Sequence, residues 1–174
     1  MSQQTHSHIQ HETEIAVVGA GLVGATMALA LADAGINVLL LDASPVTAGE
    51  LGAQPESYDP RVSAITHASQ RLFQQLQVWP AIEAQRSCAY NHMHVREADG
   101  TGQIDFDARD VHTDSLGHIV ENRIMLSALQ QRMAEYPNLQ VLAPVTVTAC
   151  QQVAHSGTAQ KAELTLNNGD TVQA

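Results

Sequence analysis

Three closely spaced glycines constrain this chain more than any other feature of its sequence. Gly19, Gly21 and Gly24 follow the short apolar run 15–18, whose composition is typical of a strand buried on both faces. An alanine-rich segment after the glycines favours a helix, and the second apolar run 37–41 has the length of another strand. This succession of strand, glycine loop, helix and strand predicts a dinucleotide-binding βαβ unit.

Each glycine meets a physical requirement of such a loop. Gly19 allows a sharp turn out of the first strand, Gly21 lets a pyrophosphate approach the backbone, and Gly24 lets the helix pack closely on the sheet. Leu22 and Val23 lie at the expected start of the helix. The unpaired N–H groups there and the positive end of the helix dipole attract phosphates.

An acidic residue, Asp42, follows the second apolar run. A carboxylate at the end of this strand accepts hydrogen bonds from ribose hydroxyls in dinucleotide-binding units. Gly35 stands where the intervening helix is expected to end. The agreement of these flanking features favours a dinucleotide site over a glycine-rich turn that serves packing only. The glycine loop by itself leaves NAD and FAD open.

Composition argues against several other classes of protein. The chain of 174 residues carries a formal net charge of −10, which disfavours nucleic acid and anionic lipid as partners of this portion. The uncharged run 15–32 approaches the length of a membrane span, but it contains three glycines, and no Lys or Arg of the kind a signal peptide needs precedes Arg61. Cys88 and Cys150 lack metal-site spacing and fit free thiols in a reducing cytoplasm, with a disulfide between them as the alternative.

The remaining pattern predicts an α/β domain with an antiparallel excursion. Polar residues 1–13 are expected to form a loose, disordered tail. Alternating residues 90–108 around an Asp-Gly turn predict a hairpin that interrupts the βαβ pattern. The other predicted elements are helices over 61–77 (after Asp59-Pro60), 79–85 and 123–135 (capped by Asn122), a strand over 139–147 extending towards 153, and a hairpin over 162–173. A last strand that runs up to Ala174 predicts a fragment of a longer protein.

Arg61 and Arg123 both fall in the first turn of a predicted helix. A cation there faces the positive end of the helix dipole, a mismatch of roughly 0.3–1 kcal/mol that a bound anion would reverse. Arginine also suits bidentate contact with phosphate. The alternative is a solvent-facing arginine at each position, with no ligand.

The predicted hairpin carries two pairs of ionisable residues at strand spacing. His92 and His94 share one strand face, as do Asp105 and Asp107. The histidine pair lacks a third ligand, and a solvated face explains the aspartates better, so no metal site is predicted. The sole lysine, Lys161, completes no Tyr-x-x-x-Lys pair, which disfavours a short-chain dehydrogenase. No acid or base stands out as a proton-transfer group, so no catalytic residue is assigned.

The sequence resembles the N-terminal part of FAD-dependent aromatic-ring monooxygenases, and within them the ubiquinone-biosynthesis hydroxylases. The resemblance covers roughly residues 14–147, and its later segments are more specific than the glycine loop. The matching segments are Gly19-Ala20-Gly21-Leu22-Val23-Gly24, Asp59-Pro60-Arg61-Val62-Ser63-Ala64-Ile65-Thr66 with Ser69, Leu76-Gln77-Val78-Trp79, Phe106-Asp107-Ala108, and Leu116-Gly117-His118-Ile119-Val120-Glu121-Asn122-Arg123 with Leu126 and Leu129.

The resemblance implies a Rossmann-like FAD-binding domain. The glycine-loop residues 19–24 would hold the FAD pyrophosphate, and Asp42 the adenosine ribose. Arg61 would lie near the flavin, and Arg123 would contact its phosphate or ribityl region. The implied enzyme is a flavin-dependent monooxygenase that uses NAD(P)H and O₂ to hydroxylate a small aromatic, prenylated phenol or quinol. The resemblance also implies peripheral contact with the inner membrane, through the prenylated substrate, or contact with a biosynthetic complex.

The resemblance also divides the chain. It implies a FAD-binding βαβ part over 14–88, an antiparallel hairpin of the substrate domain over 89–112, and a return to the FAD-binding domain over 113–174. The family's later Asp-Gly and Gly-Asp motifs are missing, so residues 1–174 alone are expected to be inactive. Two alternatives stay open: another flavin oxidoreductase, such as an amine or hydroxy-acid oxidase, and a non-catalytic nucleotide-binding module.

Overall fold

The computed structural model of the chain describes residues 8–46, 58–154 and 160–174. The chain divides into two compact units, Met1–Ala48 with Leu129–Ala174, and Gly49–Ala128. The strands are β1 (Gln10–Glu12), β2 (Ile15–Val18), β3 (Val38–Leu41), β4 (Val62–Thr66), β5 (Cys88–Tyr90), β6 (His92–Arg96), β7 (Gln103–Asp107), β8 (Gly117–Glu121), β9 (Leu139–Leu142), β10 (Val147–Ala154), β11 (Gln160–Leu166) and β12 (Thr171–Gln173). The helices are α1 (Leu22–Asp33), α2 (His67–Gln75), α3 (Trp79–Gln85) and α4 (Asn122–Met133), and a 3-10 turn covers Ala108–Val111.

The first unit contains the predicted βαβ arrangement. Helix α1 connects β2 to β3, which pair in parallel. Strand β9 adds a third parallel strand, in the order β2-β3-β9. All four residues of β3 are buried, as expected for a strand between two neighbours and under a helix. Helix α1 turns Ala25, Ala28, Leu29 and Ala32 inward. The α/β, Rossmann-like fold class is therefore confirmed.

A second sheet in the same unit corrects the predicted tail. Its order is β1-β12-β11-β10, and β1 pairs in parallel with β12 although it lies within the predicted tail 1–13. The Ile9 N–H also donates to Asp170 Oδ1 at 2.8 Å. These contacts join segments far apart in sequence, so the polar residues of β1 gave no local sign of a strand. The tail prediction is wrong for 10–12, and residues 1–7 lie outside the described residues.

The strand predicted over 139–147 divides in the structure. Strand β9 ends at Leu142, and β10 belongs to the second sheet of the unit, where it pairs with β11. Pro144 lies in the connection and has no N–H for a sheet hydrogen bond, which explains why one strand does not continue through it. The hairpin predicted over 162–173 is confirmed as β11 and β12, with Gly169 at φ 89° in its turn.

The second unit shows the largest error in the predicted elements. The segment predicted as a helix over 61–77 begins with a strand, β4, which pairs antiparallel with β8 in the order β4-β8-β5. Helix α2 starts only at His67, after Thr66, whose hydroxyl accepts from the Ser69 N–H. Val62 and Ile65 match helical spacing, but the backbone of this segment pairs with a strand more than fifty residues away. The same non-local pairing explains why β8 was not predicted.

The rest of the second unit agrees more closely with the sequence. Helix α3 has the predicted bounds, and its Trp79 and Ile82 are buried. The predicted hairpin is confirmed as β6 and β7, paired antiparallel. Gln77 adopts φ 59°, a conformation that glycine reaches with less strain. Among the described residues, no helix combines the length and apolar character needed to cross a membrane.

Candidate functional site

The glycine loop joins β2 to α1 through two special backbone positions. Gly19 has φ 101°, and its N–H donates to the Leu41 oxygen at 2.7 Å. A Cβ added at Gly24 would lie only 1.8 Å from the Gly19 oxygen, so the helix lies directly against the loop backbone. A Cβ added at Gly21 would meet no atom within 4 Å. The loop is thus tight at its last glycine and open at its middle one.

The open side of the loop suits an anionic group. Gly21 is the N-terminal cap of α1 and provides no side-chain hydrogen bond to the helix. The first N–H groups of a helix have no partner within it, and here they belong to Leu22, Val23 and Gly24. No acidic residue stands in this first turn. A pyrophosphate fits these donors and the helix dipole.

Asp42 has a structural role that the sequence did not reveal. Its Oδ2 accepts from the N–H of buried Ala20 at 2.6 Å, and its Oδ1 accepts from the Ser44 N–H at 2.7 Å. The first bond ties the end of β3 to the glycine loop. A carboxylate oxygen has a further lone pair, so these bonds leave capacity for a ribose hydroxyl. The bond from the Ser44 N–H to Asp42 closes a local turn, of the kind that an aspartate side chain often makes with the backbone two residues later.

Arg61 does not stand at a helix start, so the dipole mismatch inferred for it is wrong. It is exposed and precedes β4, and its N–H donates to Asp59 Oδ1 at 2.8 Å. The Asn122 N–H donates to the Arg61 oxygen at 3.0 Å, which brings this segment against the start of α4. Asn122 begins that helix, and its side-chain oxygen accepts from the Ser63 hydroxyl at 2.6 Å.

Arg123 lies in the first turn of α4, as predicted, but an acidic residue already compensates its charge. Its Nε donates to Glu121 Oε2 at 2.8 Å, and its Nη2 lies at the same distance from that oxygen. The carboxylate offsets the unfavourable position of the cation near the helix dipole. The dipole mismatch therefore does not by itself require a bound anion. About a third of the Arg123 side chain stays exposed (35%).

Glu121 connects three segments of the second unit and was missed by the sequence reasoning. It is 5% exposed, and its Oε2 also accepts from the Asp59 N–H at 2.9 Å. Its Oε1 lies 3.4 Å from Arg86 Nε, and the Arg86 guanidinium stands over the Tyr58 ring at 4.2 Å. The Asp59 N–H foremost, and then the two arginines, hold the pKa of Glu121 below its ordinary value.

The lowered pKa of Glu121 predicts a specific loss of stability in acid. A carboxyl group whose pKa falls on folding stabilises the fold above its unfolded pKa, here near 4.5, and loses this contribution as pH falls through the lower folded value. Glu121→Gln should be less stable than wild type at pH 7, and this difference should narrow below pH 4.5. Urea unfolding across the pH range measures it. The exposed Glu83→Gln is the control, expected to run parallel to wild type; a constant difference for Glu121→Gln would contradict the prediction.

One face of the hairpin β6–β7 carries its charged residues. His94 Nδ1 lies 2.6 Å from Asp105 Oδ1, and His92 Nε2 lies 3.3 Å from the same oxygen. Arg109 binds Asp107 and lowers its pKa. Within residues 8–46, 58–154 and 160–174, no group of three or more His, Cys, Asp or Glu side chains is arranged to hold a metal ion.

The parallel sheet β2-β3-β9 and the glycine loop at the start of α1 define a dinucleotide-binding unit of the Rossmann type. The chain belongs to the FAD dependent oxidoreductase family, whose model matches residues 14–167. FAD dependence is thus a property of the family to which the chain belongs.

Two curated relatives show a more specific similarity than the family match. The chain is 33% identical to 3-demethoxyubiquinol 3-hydroxylase of Escherichia coli (strain K12) over 162 residues, which are 93% of this chain and 39% of the relative. It is 32% identical to the mitochondrial ubiquinone biosynthesis monooxygenase COQ6 of Drosophila melanogaster over 171 residues, 96% of this chain and 35% of the relative. The chain therefore spans less than two fifths of the length of these relatives.

Solved structures share the fold at low sequence identity. A mutant of PqsL from Pseudomonas aeruginosa matches with a TM-score of 0.68 at 16% identity, over 94% of this chain and 41% of that one. The p-nitrophenol 4-monooxygenase PnpA of Pseudomonas putida DLL-E4 matches with a TM-score of 0.65 at 18% identity, over 95% of this chain and 40% of that one. These matches support the fold assignment.

Proposed function

We propose that the chain is the N-terminal, FAD-binding part of a monooxygenase that uses NAD(P)H and O₂ to hydroxylate a prenylated phenol or quinol in ubiquinone biosynthesis. Its similarity to two ubiquinone-pathway oxygenases over more than nine tenths of its residues carries this proposal. The open space beside Gly21 supports the proposal that the chain binds FAD, because the loop backbone and the start of α1 suit a pyrophosphate.

The proposed roles of single residues rest on the resemblance, and the geometry of the glycine loop supports those in the first unit. Gly19, Gly21 and Gly24, with the N–H groups of Leu22 and Val23, would bind the FAD pyrophosphate. Asp42 would accept from the adenosine ribose while it supports the loop. Bound FAD would supply the redox chemistry, and the protein would supply binding, orientation and the exclusion of water.

Residues of the second unit are proposed for the remaining contacts. Arg61 would lie near the flavin, and Arg123 would contact its phosphate or ribityl region. The hairpin over 89–112 would belong to the substrate side, and 14–88 with 113–174 to the FAD-binding side. A prenylated substrate would bring the protein to the inner membrane or into a biosynthetic complex, since such chains partition into lipid.

Cofactor binding is the first experimental test. The purified full-length protein should be yellow, and it should couple NAD(P)H oxidation to O₂ consumption when a prenylated phenol is present. A colourless protein that cannot be reconstituted with FAD would refute both this proposal and an oxidase. Bound FAD without NAD(P)H oxidation, but with turnover of an amine or a hydroxy acid, would instead favour the oxidase alternative.

Arg123 gives a residue-level test of the same proposal. Arg123→Ala should weaken FAD binding about tenfold, the loss expected for one charge-assisted contact with a phosphate. Quenching of flavin fluorescence measures the dissociation constant. Arg71→Ala, at an exposed position of α2, is a matched control and should bind FAD like wild type. Unchanged affinity of Arg123→Ala would refute the role assigned to this arginine.

A further inference from the structure

Strand β10 forms one edge of the sheet β1-β12-β11-β10, and it is the longest strand among the described residues. It pairs with β11 on one side, and the described part of the chain places no strand on its other side. Most of its residues are exposed. An unpaired strand edge presents N–H and C=O groups that can pair with a further strand.

The hydrogen bonds of β11 show which groups of β10 point to the open edge. Ala162 and Ala174 exchange both backbone bonds, so Ala162 and every second residue after it bond on the β12 side. Glu163 lies between two such residues and therefore bonds to β10, where its partner is Gln151. By the same alternation, three residues of β10 direct their N–H and C=O groups away from β11: Cys150, Gln152 and Ala154.

Strand β10 lacks the features that usually prevent pairing along an edge. Its residues include no charge and no proline, and its one irregularity lies at its start, between Val147 and Ala149. Natural edge strands are commonly short, charged or bulged, which blocks association with other chains. The opposite edge of the same sheet is of this kind, because β1 has three residues and includes His11 and Glu12. This contrast between two edges of one sheet indicates β10 as an interaction surface.

We propose that β10 is a dimer interface, at which it pairs antiparallel with β10 of a second copy of the chain. A two-fold axis at Gln152 places this residue opposite its own copy, and Cys150 opposite Ala154 of the other copy. In this register every outward N–H of one strand meets an outward C=O of the other. A neutral strand also suits self-association, since each copy carries a formal net charge of −10 elsewhere.

The dimer should be weak and reversible, with a dissociation constant in the micromolar range, because one strand edge buries little surface. Sedimentation velocity of the full-length protein at several concentrations measures this constant. Gln152→Lys and Gln152→Glu each bring two like charges together at the two-fold axis, and each should weaken dimerisation about tenfold. An effect through net charge alone would have opposite signs in the two variants. Gln10→Lys, at an exposed position of β1, is the control and should dimerise like wild type.

Disulfide formation tests the register in a background in which Cys88 and Cys150 are replaced by serine. Hydrogen-bonded residues opposite each other in an antiparallel pair have Cα atoms about 5.5 Å apart, which a disulfide can span. Mild oxidation of Gln152→Cys should therefore yield a covalent dimer on a non-reducing gel. Gln10→Cys in the same background should stay monomeric. This readout also keeps the proposal testable if a charged variant fails to fold, which circular dichroism detects.

Three results would overturn the proposal: a wild-type protein that stays monomeric at the highest soluble concentration, a dimer that both charged variants leave intact, or oxidation of Gln152→Cys without a covalent dimer. Hydrogen exchange tests whether another part of the full-length protein covers the edge. Protection of the three outward N–H groups at concentrations where the protein is monomeric would show this and would refute the dimer. FAD is not needed for any of these measurements, so their result is independent of the proposed function.

Discussion

Gly24→Ala should destabilise the apoprotein by about 3 kcal/mol, the upper end of the usual loss when a well-packed contact is forced apart. The added Cβ would lie 1.8 Å from the Gly19 oxygen, and this neighbour is backbone, which cannot rotate away. Helix α1 or the loop would have to move by more than an ångström. The better helix propensity of alanine recovers at most about 1 kcal/mol. Urea unfolding of the apoprotein measures the loss.

Gly21→Ala is the matched control, because it makes the same chemical change three residues earlier. Gly21 has φ −69°, which alanine adopts freely, and its added Cβ meets no atom within 4 Å. Its unfolding free energy should stay within about 1 kcal/mol of wild type, the cost of replacing a glycine N-terminal cap by alanine. FAD affinity should nevertheless fall about a hundredfold, because the methyl group occupies the space proposed for the pyrophosphate.

The two glycine variants together separate packing from ligand approach. If Gly24 is needed for close packing, Gly24→Ala should unfold at a lower urea concentration than wild type, with or without FAD. If Gly21 is needed to leave room for the pyrophosphate, Gly21→Ala should lose only the extra stability that bound FAD gives to wild type. If Gly21→Ala destabilises the apoprotein as much as Gly24→Ala, the loop is not open as the structure has it. If Gly21→Ala binds FAD normally, the pyrophosphate does not approach there.

The βαβ unit could be predicted because its signals are local. The glycines, the two apolar runs and Asp42 lie within one short segment, and each acts on its immediate neighbours. The hairpins were predictable for the same reason, since alternation and a turn residue stand next to each other in sequence. Local patterns thus carried the fold class and the glycine-loop part of the candidate site.

The errors arose where distant segments pair. Strand β1 pairs with β12, and β4 pairs with β8, through backbone hydrogen bonds that leave no side-chain pattern at either segment. The role of Glu121 depends on the same pairing, because β8 places it beside Asp59 and Arg86. The sequence singled out Arg123 for its position near a helix dipole, whereas the structure explains that position by a buried carboxylate two residues earlier.

Asp42→Ala should remove a support of the glycine loop as well as a proposed cofactor contact. The substitution leaves the N–H of buried Ala20 without its carboxylate partner, and such a charge-assisted bond contributes about 1.5–3 kcal/mol. The Ser44 bond is exposed and adds little. We expect a loss of about 2 kcal/mol in unfolding free energy for the apoprotein, measured with urea, together with loss of detectable FAD binding.

Asp42→Asn separates the two roles of this residue. The amide oxygen can still accept from the Ala20 N–H, so the apoprotein should lose less than about 1 kcal/mol. The substitution removes the carboxylate charge and one of its two acceptor oxygens. FAD affinity should therefore fall about tenfold, because a charged acceptor forms a stronger hydrogen bond than a neutral one. An Asp42→Ala protein as stable as wild type would contradict the supporting role. If Asp42→Asn kept full FAD affinity, the carboxylate charge would not contribute to ribose binding, and support of the loop would be its main task.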